Sequence, residues 1–320
     1  MNKTLKILLL TGLLLILGGG IVLLIVFVAS GGNMDFLSTV KLEEKRFDES
    51  AENPIDDITI DFENAAIEVR IDDHIANLAI EYPQAQNNVG ENISEITLTE
   101  TDGALSIIEK RKWQFNLISW NFTSPKVVLH LPSHRTYDLS LTTKNGKISF
   151  DGPSLQAKNV FLFTDNGAIE TETTEIACSE AFLCETDNGA VKLGFITAGH
   201  LTAQTDNGAV ELNGCNVSAK AYLETDNGKI TLVGNITANE LIAETDNGGI
   251  QAQSAIIYAQ KITLSTNLGD IRAKLAGKHA DYTTTIEHDL GNTNIYSSTG
   301  GEKSLSVNSD VGDIQIDFTE

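Results

Sequence analysis

Five aspartates at near-constant spacing are the residues of this chain best placed to do chemistry: Asp165, Asp187, Asp206, Asp226 and Asp246. Each is preceded by Thr and followed by Asn-Gly. Brought into one column, their carboxylates would repel by about 1 kcal/mol per neighbour in water and by more at lower dielectric. A bridging Ca²⁺ would remove that cost. In the plainer alternative each Asp caps its own turn through local backbone hydrogen bonds and faces solvent. The Asn after each Asp favours capping, because a calcium-binding roll would offer another carboxylate or carbonyl ligand there. The chain is therefore expected to need no metal or cofactor.

Acid–base chemistry has a weaker footing. His74, His130, His134, His200, His279 and His288 are scattered. His130 and His134 are four apart but straddle Pro132 at the end of a strand, whereas metal-binding pairs at that spacing sit on a helix. Polysaccharide lyases and hydrolases do use parallel β-helices with acidic sites. Such a site needs an acid or base and usually a cation to stabilise developing charge. The repeats carry one arginine, Arg272, and no insertion breaks the period to build a cleft. The sequence reads as that of a protein that is not an enzyme.

The element that must position these residues is a repeat. Gly146, Gly167, Gly189, Gly208, Gly228, Gly248, Gly269, Gly291 and Gly312 recur 19 to 22 residues apart, a period that marks a solenoid. The third and fifth residues before each Asp position are mostly apolar, as in Leu162 and Val160 or Leu223 and Ala221. The second after each Gly is apolar in nearly every copy, from Ile148 to Ile314. Period two on both sides of the turn predicts strand–turn–strand with one buried face. Short third segments (Val217–Ala219, Ile236–Ala238, Ile257–Ala259) complete a coil with two longer sides and one shorter side. The expected fold is all-β: a single-stack parallel β-solenoid, or β-helix, of about 20–22-residue coils. The glycines are expected to supply positive φ at the turns. Coils 4.7–4.9 Å apart would stack the Asn residues into a hydrogen-bonded column.

Parity then exposes a candidate binding feature. The fourth residue before Asp should face outward, yet it is Phe161, Leu183, Tyr222 and Ile242 in four of five successive coils, with Thr202 between. Phe163 should face outward as well. An apolar stripe on a polar surface marks a contact site for a partner chain or for another part of this chain, such as the aromatic segment Arg111–Ser124.

The remainder sets the context. Residues 1–6 form a short head, and 7–29 carry no charge over a length sufficient to cross a bilayer. An uncleaved transmembrane helix, N-terminus inside, is expected, because a signal peptide's apolar core is shorter. Residues 30–54 read as a tether, 55–135 as an irregular β cap with strands near 57–61, 66–71, 78–82, 95–99 and 105–109, and 136–320 as regular coils. With 44 acidic against 22 basic residues and a net charge of -22, no nucleic-acid partner is expected. Three cysteines make no disulfide framework: Cys184 has inward parity, and Cys178 and Cys215 read as corner residues.

The apolar N-terminus, the strand ending Leu131-Pro132 and the repeated Thr-Asp-Asn-Gly-x-Ile coils resemble the bacterial putative-adhesin, β-strand-repeat family of unknown function, over about residues 55–320. That resemblance implies a β-solenoid on the cell envelope, of the Gram-positive membrane-anchored type, with a protein or cell-envelope partner. It brings no catalytic residues. The expected role is a non-catalytic adhesion, interaction or envelope scaffold, with a glycan-binding or glycan-processing β-helix as the alternative.

Overall fold

A computed structural model describes residues 40–87, 89–111 and 125–320, with Gly12, Gly19 and Val28 of the N-terminal segment. The anchor expected over 7–29 otherwise lies outside the described residues, as does most of Arg111–Ser124. Among the described residues no helix is long and apolar enough to cross a membrane.

All the described strands join one 21-stranded sheet wound into a solenoid. The N-terminal part contains β1 (Val40–Asp48), β2 (Asp57–Phe62), β3 (Ala66–Asp72), β4 (Ala79–Asn87), β5 (Ser94–Thr101), β6 (Ala104–Arg111) and β7 (Lys126–Pro132). The coils continue with β8 (Thr136–Thr143), β9 (Ile148–Asp151), β10 (Ser154–Thr164), β11 (Ile169–Glu170), β12 (Glu175–Thr186), β13 (Val191–Leu193) and β14 (Ile196–Thr205). Then come β15 (Val210–Thr225), β16 (Ile230–Asn247), β17 (Ile250–Leu268), β18 (Ile271–Leu275), β19 (Tyr282–Leu290), β20 (Lys303–Val311) and β21 (Ile314–Phe318). Successive coils pair in parallel, as in Tyr222 opposite Ile242 and Leu223 opposite Ala243. Inward positions such as Val160, Leu162, Leu201, Leu223 and Leu241 are fully buried. Each removes its aliphatic side chain from water, a gain of about 1.5–3 kcal/mol for the larger ones.

The turn corner is built differently from the sequence expectation. Gly146, Gly167, Gly189, Gly208, Gly228 and Gly248 do not have positive φ; of the nine, only Gly269, Gly291 and Gly312 do. The earlier six are glycine because the coils touch there. A Cβ on Gly228 would lie 1.8 Å from the Gly208 carbonyl oxygen, and one on Gly208 would lie 2.0 Å from that of Gly189. The same carbonyls accept buried hydroxyls: Thr205 Oγ1 donates to Gly189, Thr225 to Gly208 and Thr245 to Gly228, at 2.8–2.9 Å. Outside this threonine ladder runs the expected asparagine column. Each amide donates to the previous coil, from Asn145 onto Asn64 (2.8 Å) to Asn247 onto Asn227 (3.0 Å). Asn64 shows that β2 and β3 already form a regular coil, so the stack starts inside the stretch read as an irregular cap.

Residues 40–54 are not a free tether. β1 pairs antiparallel with β4 along its whole length. Just beyond it the Glu49 side chain, 1% exposed, receives both oxygens' contacts from Arg135 Nη1 (2.9 and 2.7 Å) and the amides of Ile55 and Leu78. Arg135 also donates to Asp56 and lies over the Tyr137 ring. Burial alone would raise the Glu49 carboxyl, but the Arg135 and amide hydrogen bonds outweigh it and hold it below the usual carboxylate range.

The stacking order departs from chain order at both ends. β2 lies between β6 and β8, and β3 between β7 and β9, so the first coil is covered by the second. At the other end β20 lies between β17 and β19, and β21 pairs with β18 while Ile314 bridges Thr293. The last coil is therefore inserted beneath the one before it. The connections that pass over an inserted coil, Pro132 to Tyr137 and Ala276 to Tyr282, each end at a buried tyrosine. Tyr137 Oη donates to the Pro132 carbonyl (3.0 Å) and Tyr282 Oη to that of Ala276 (2.8 Å). Where coils follow in order, the column that begins at Tyr137 holds small or β-branched residues: Ala157, Cys178, Ala198, Val217, Ala238 and Ala259. Cys178 lies in this column and Cys215 in the adjoining Ile196–Ile236 column, so both point into the core, and Cys184 has the inward position expected of it. Cys178, Cys184 and Cys215 are all buried core residues, and burial raises the Cys178 and Cys215 thiols to about 12.

Candidate interaction surface

The outer face of β10, β12, β14, β15 and β16 is the surface the sequence points to, and the parity holds. Phe161 pairs with Leu183, Leu183 with Thr202, Thr202 with Tyr222, and Tyr222 with Ile242. All five face outward and are half-buried, because each leans on the next rung. Phe163 stands on the same face one column nearer the turn. The stripe has polar borders. On the turn side, Phe163 is followed by Glu185, Gln204, Glu224 and Glu244. On the far side run Ala181, His200, Lys220 and Glu240.

Two contacts fix the centre of this face. Lys220 Nζ lies 4.8 Å from the centroid of the Tyr222 ring, and Tyr222 Oη donates to Glu244 Oε2 at 3.3 Å. Desolvation, then the nearby Glu224 and Glu244 carboxylates, push the Tyr222 phenol above its usual range. It stays a neutral donor at physiological pH. The arrangement offers apolar area, ring faces, carboxylate acceptors and a lysine along one line, which suits binding. Lys220 and Glu244 are partners that sequence reasoning missed. Their signal was the i, i+2 placement of Lys220 and Tyr222 on one strand face.

The aspartates form the expected column at the neighbouring corner, and all five are exposed. Asp226 has its carboxyl raised, first by partial desolvation and then by Asp206, Asp246 and Glu224. Beside it, Glu224, Asp226, Glu244, Asp246, Ser265 and Asn267 line an acidic groove. Among the described residues the only three-residue grouping with metal-ligating atoms within 4.8 Å of one another is Asp72, Asp73 and His74, where β3 ends in a loop. The raised value means that the native state holds the proton more tightly than the unfolded chain. The carboxylate therefore costs stability as pH rises from the unfolded value of about 4 through the raised one. Asp206→Asn with Asp226→Asn should raise the melting temperature at pH 7 by about 1–3 °C, an effect of surface-charge size, and leave it unchanged at pH 3. Calorimetry at the two pH values checks this. A calcium-dependent gain in the parent that the variant lacks would establish bridging instead of capping.

The histidines do not converge. His74 lies beside Asp73, His130 Nε2 is 3.9 Å from Glu81, and His279 packs on Tyr296 and Phe318 at the opposite end of the stack.

Solved structures with which the chain shares similarity include a putative adhesin from Parabacteroides distasonis ATCC 8503, at 14% identity and a TM-score of 0.44, covering 86% of this chain and 97% of that one. A putative lipid binding protein from the same organism gives 15% identity and a TM-score of 0.39, with 87% and 97% covered. A putative adhesin from Bacteroides fragilis NCTC 9343 gives 14% and 0.38, with 86% and 97% covered. No match was found among curated proteins. The sequence model of one family spans residues 55–317, from the start of the first inserted coil to the end of the last. The strand register extends beyond it to β1, and the chain belongs to that family, Toastrack DUF4097.

Proposed function

We propose that the chain is a membrane-anchored, extracytoplasmic β-solenoid that acts without catalysis, as an adhesion or envelope scaffold binding through the outer face of β10–β16. The observation that carries this reading is the in-register stripe of Phe161, Leu183, Tyr222 and Ile242, interrupted at Thr202 and with Phe163 beside it, on a surface whose flanking columns are mostly polar. The uncharged run over 7–29 supports the anchor. The partner is a protein or another envelope component, and the strong acidic excess argues against nucleic acid. Glycan binding is the second reading. It is favoured by the Tyr222 ring standing between carboxylates and a lysine, which can serve sugar hydroxyls.

Tyr222→Ser with Ile242→Ser tests the proposal. Neither side chain enters the core, so stability should fall by no more than about 1–2 kcal/mol, while capture of material from intact envelopes is lost. Capture from purified cell-wall glycan alone would select the second reading. Undiminished capture by the double variant would remove the stripe from the function.

A further inference from the structure

The last coil occupies a slot. β20 is hydrogen-bonded on both sides, to β17 and to β19, and β21 lies on β18 under Thr293 and Asn294. The slot makes the same demands as every other rung of the stack. It buries Leu305, Val307, Ile314 and Ile316. It uses the Ser309 hydroxyl on the Gly269 carbonyl (3.1 Å) and excludes any Cβ at Gly312, which would stand 2.0 Å from that same oxygen. A segment fitting it needs apolar residues, a hydroxyl and a glycine in that order. Other copies of this chain carry that segment at their own ends.

The segment is joined to the covering coil by 296–302, which is largely exposed and contains Gly300 and Gly301. Seven residues reach at most about 24 Å when extended. With two molecules facing C-terminal end to C-terminal end, the slot of one lies about 10 Å from the outermost coil of the other, two rungs at about 4.8 Å each. The link is therefore long enough to cross once its hydrogen bonds to β19 through Ser297, Ser298 and Gly301 are released, which warming would do. The outermost coil also presents Leu290 (65% exposed) and Tyr296 (72% exposed), apolar surface that a facing copy would cover.

We propose that the β20–β21 segment is exchangeable, and that a second copy of the chain donates it into the slot beneath β19. Two copies are thereby joined through the ends of the solenoids remote from β1. The contacts of β20–β21 with the slot are the same in closed and exchanged forms, so the balance is set by repulsion between the ends and by the linker, whose bonds to β19 (Ser297 with Ile286, Ser298 with Thr284 and Tyr282, Gly301 with Thr283) must open for it to cross. Those ends carry Asp281, Glu287, Asp289, Glu302, Asp310 and Asp313. Exchange should therefore increase as salt screens them, the screening length falling from about 10 Å at 0.1 M to about 3 Å at 1 M.

The test uses full-length chains and the register pair Lys261 and Ser304. One preparation carries Lys261→Cys and the other Ser304→Cys. They are mixed in high salt, warmed to just below the melting midpoint, cooled and oxidised. The native thiols are buried and do not compete. The expected result is a disulfide-linked heterodimer that forms only after warming, more in high salt than in low, and sediments as a dimer. A single chain carrying both substitutions must crosslink internally, which establishes that the pair is competent. If that control closes and the mixture gives no heterodimer, or gives disordered aggregate alone, the proposal is overturned.

Discussion

Gly228→Val should be among the most damaging single substitutions in this protein, costing roughly 3–5 kcal/mol, which only a few named mechanisms produce. The added Cβ would lie 1.8 Å from the Gly208 carbonyl oxygen and 2.8 Å from Thr225 Oγ1. Two costs then combine. Overpacking typically takes about 1–3 kcal/mol, and stranding the buried Thr225–Gly208 hydrogen bond takes about 1–3 kcal/mol more. Neither coil can move away to relieve the contact, because Tyr222–Thr225 on one side of the turn and Ile230–Leu232 on the other are paired into the sheet at fixed spacing. Gly228→Asn separates close approach from backbone conformation. Asn tolerates positive φ, so a conformational role would spare it, whereas a contact role makes it nearly as harmful as Val. Gly234, which does have positive φ (72°) and no atom nearer than 3.8 Å, should lose only about 1 kcal/mol on change to Ala. Denaturant unfolding of the three variants measures this, and a Gly228→Asn protein as stable as the parent would refute the contact argument.

Arg135→Met should cost about 3–5 kcal/mol, the usual result of breaking one side of a buried ion pair. Glu49 would keep its charge and the Ile55 and Leu78 amides but lose its bidentate partner, and Asp56 would lose its own. The damage should be local in its first consequence, with exchange protection lost across β1 and β4 before the regular coils open. Arg135→Lys should recover little, since one ammonium cannot satisfy Glu49 and Asp56 together. Replacing Arg135 and Glu49 together with apolar residues should recover only part of the loss, because no charge remains stranded but the buried Ile55 and Leu78 amides lose their acceptor. Acid should imitate the single variant. The Glu49 value is lowered in the folded state, so its contribution is complete above the unfolded value of about 4.3 and is lost as pH falls through the lowered one. Hydrogen exchange on residues 40–48, followed against pH in parent and variant, reads all of this. Unchanged protection of β1 in Arg135→Met would mean that the β1–β4 pairing stands without the clasp.

The sequence by itself determined the coil. Period-two alternation and the recurring Thr-Asp-Asn-Gly are written within 20 or so residues, and they were enough to fix the strands, the inward face, the asparagine column and the outward stripe, since parity follows directly from backbone geometry. The role of Thr164, Thr186, Thr205, Thr225, Thr245 and Thr266 was open to the same reasoning. A polar residue that recurs with inward parity has to find a buried acceptor. The reason for the glycines was not legible. Asn-Gly is compatible both with positive φ and with close approach, and only the distance between coils distinguishes them. Nor was the clasp legible, because Glu49 and Arg135 are 86 residues apart and meet through tertiary packing alone. The order of the terminal coils was decided by the tertiary structure for a related reason. Every coil offers nearly the same edge and inner face, so alternation cannot say which coil lies next to which. The choice falls to the connections, where Tyr137 and Tyr282 are the bulky buried residues at the two places where the chain steps over a coil.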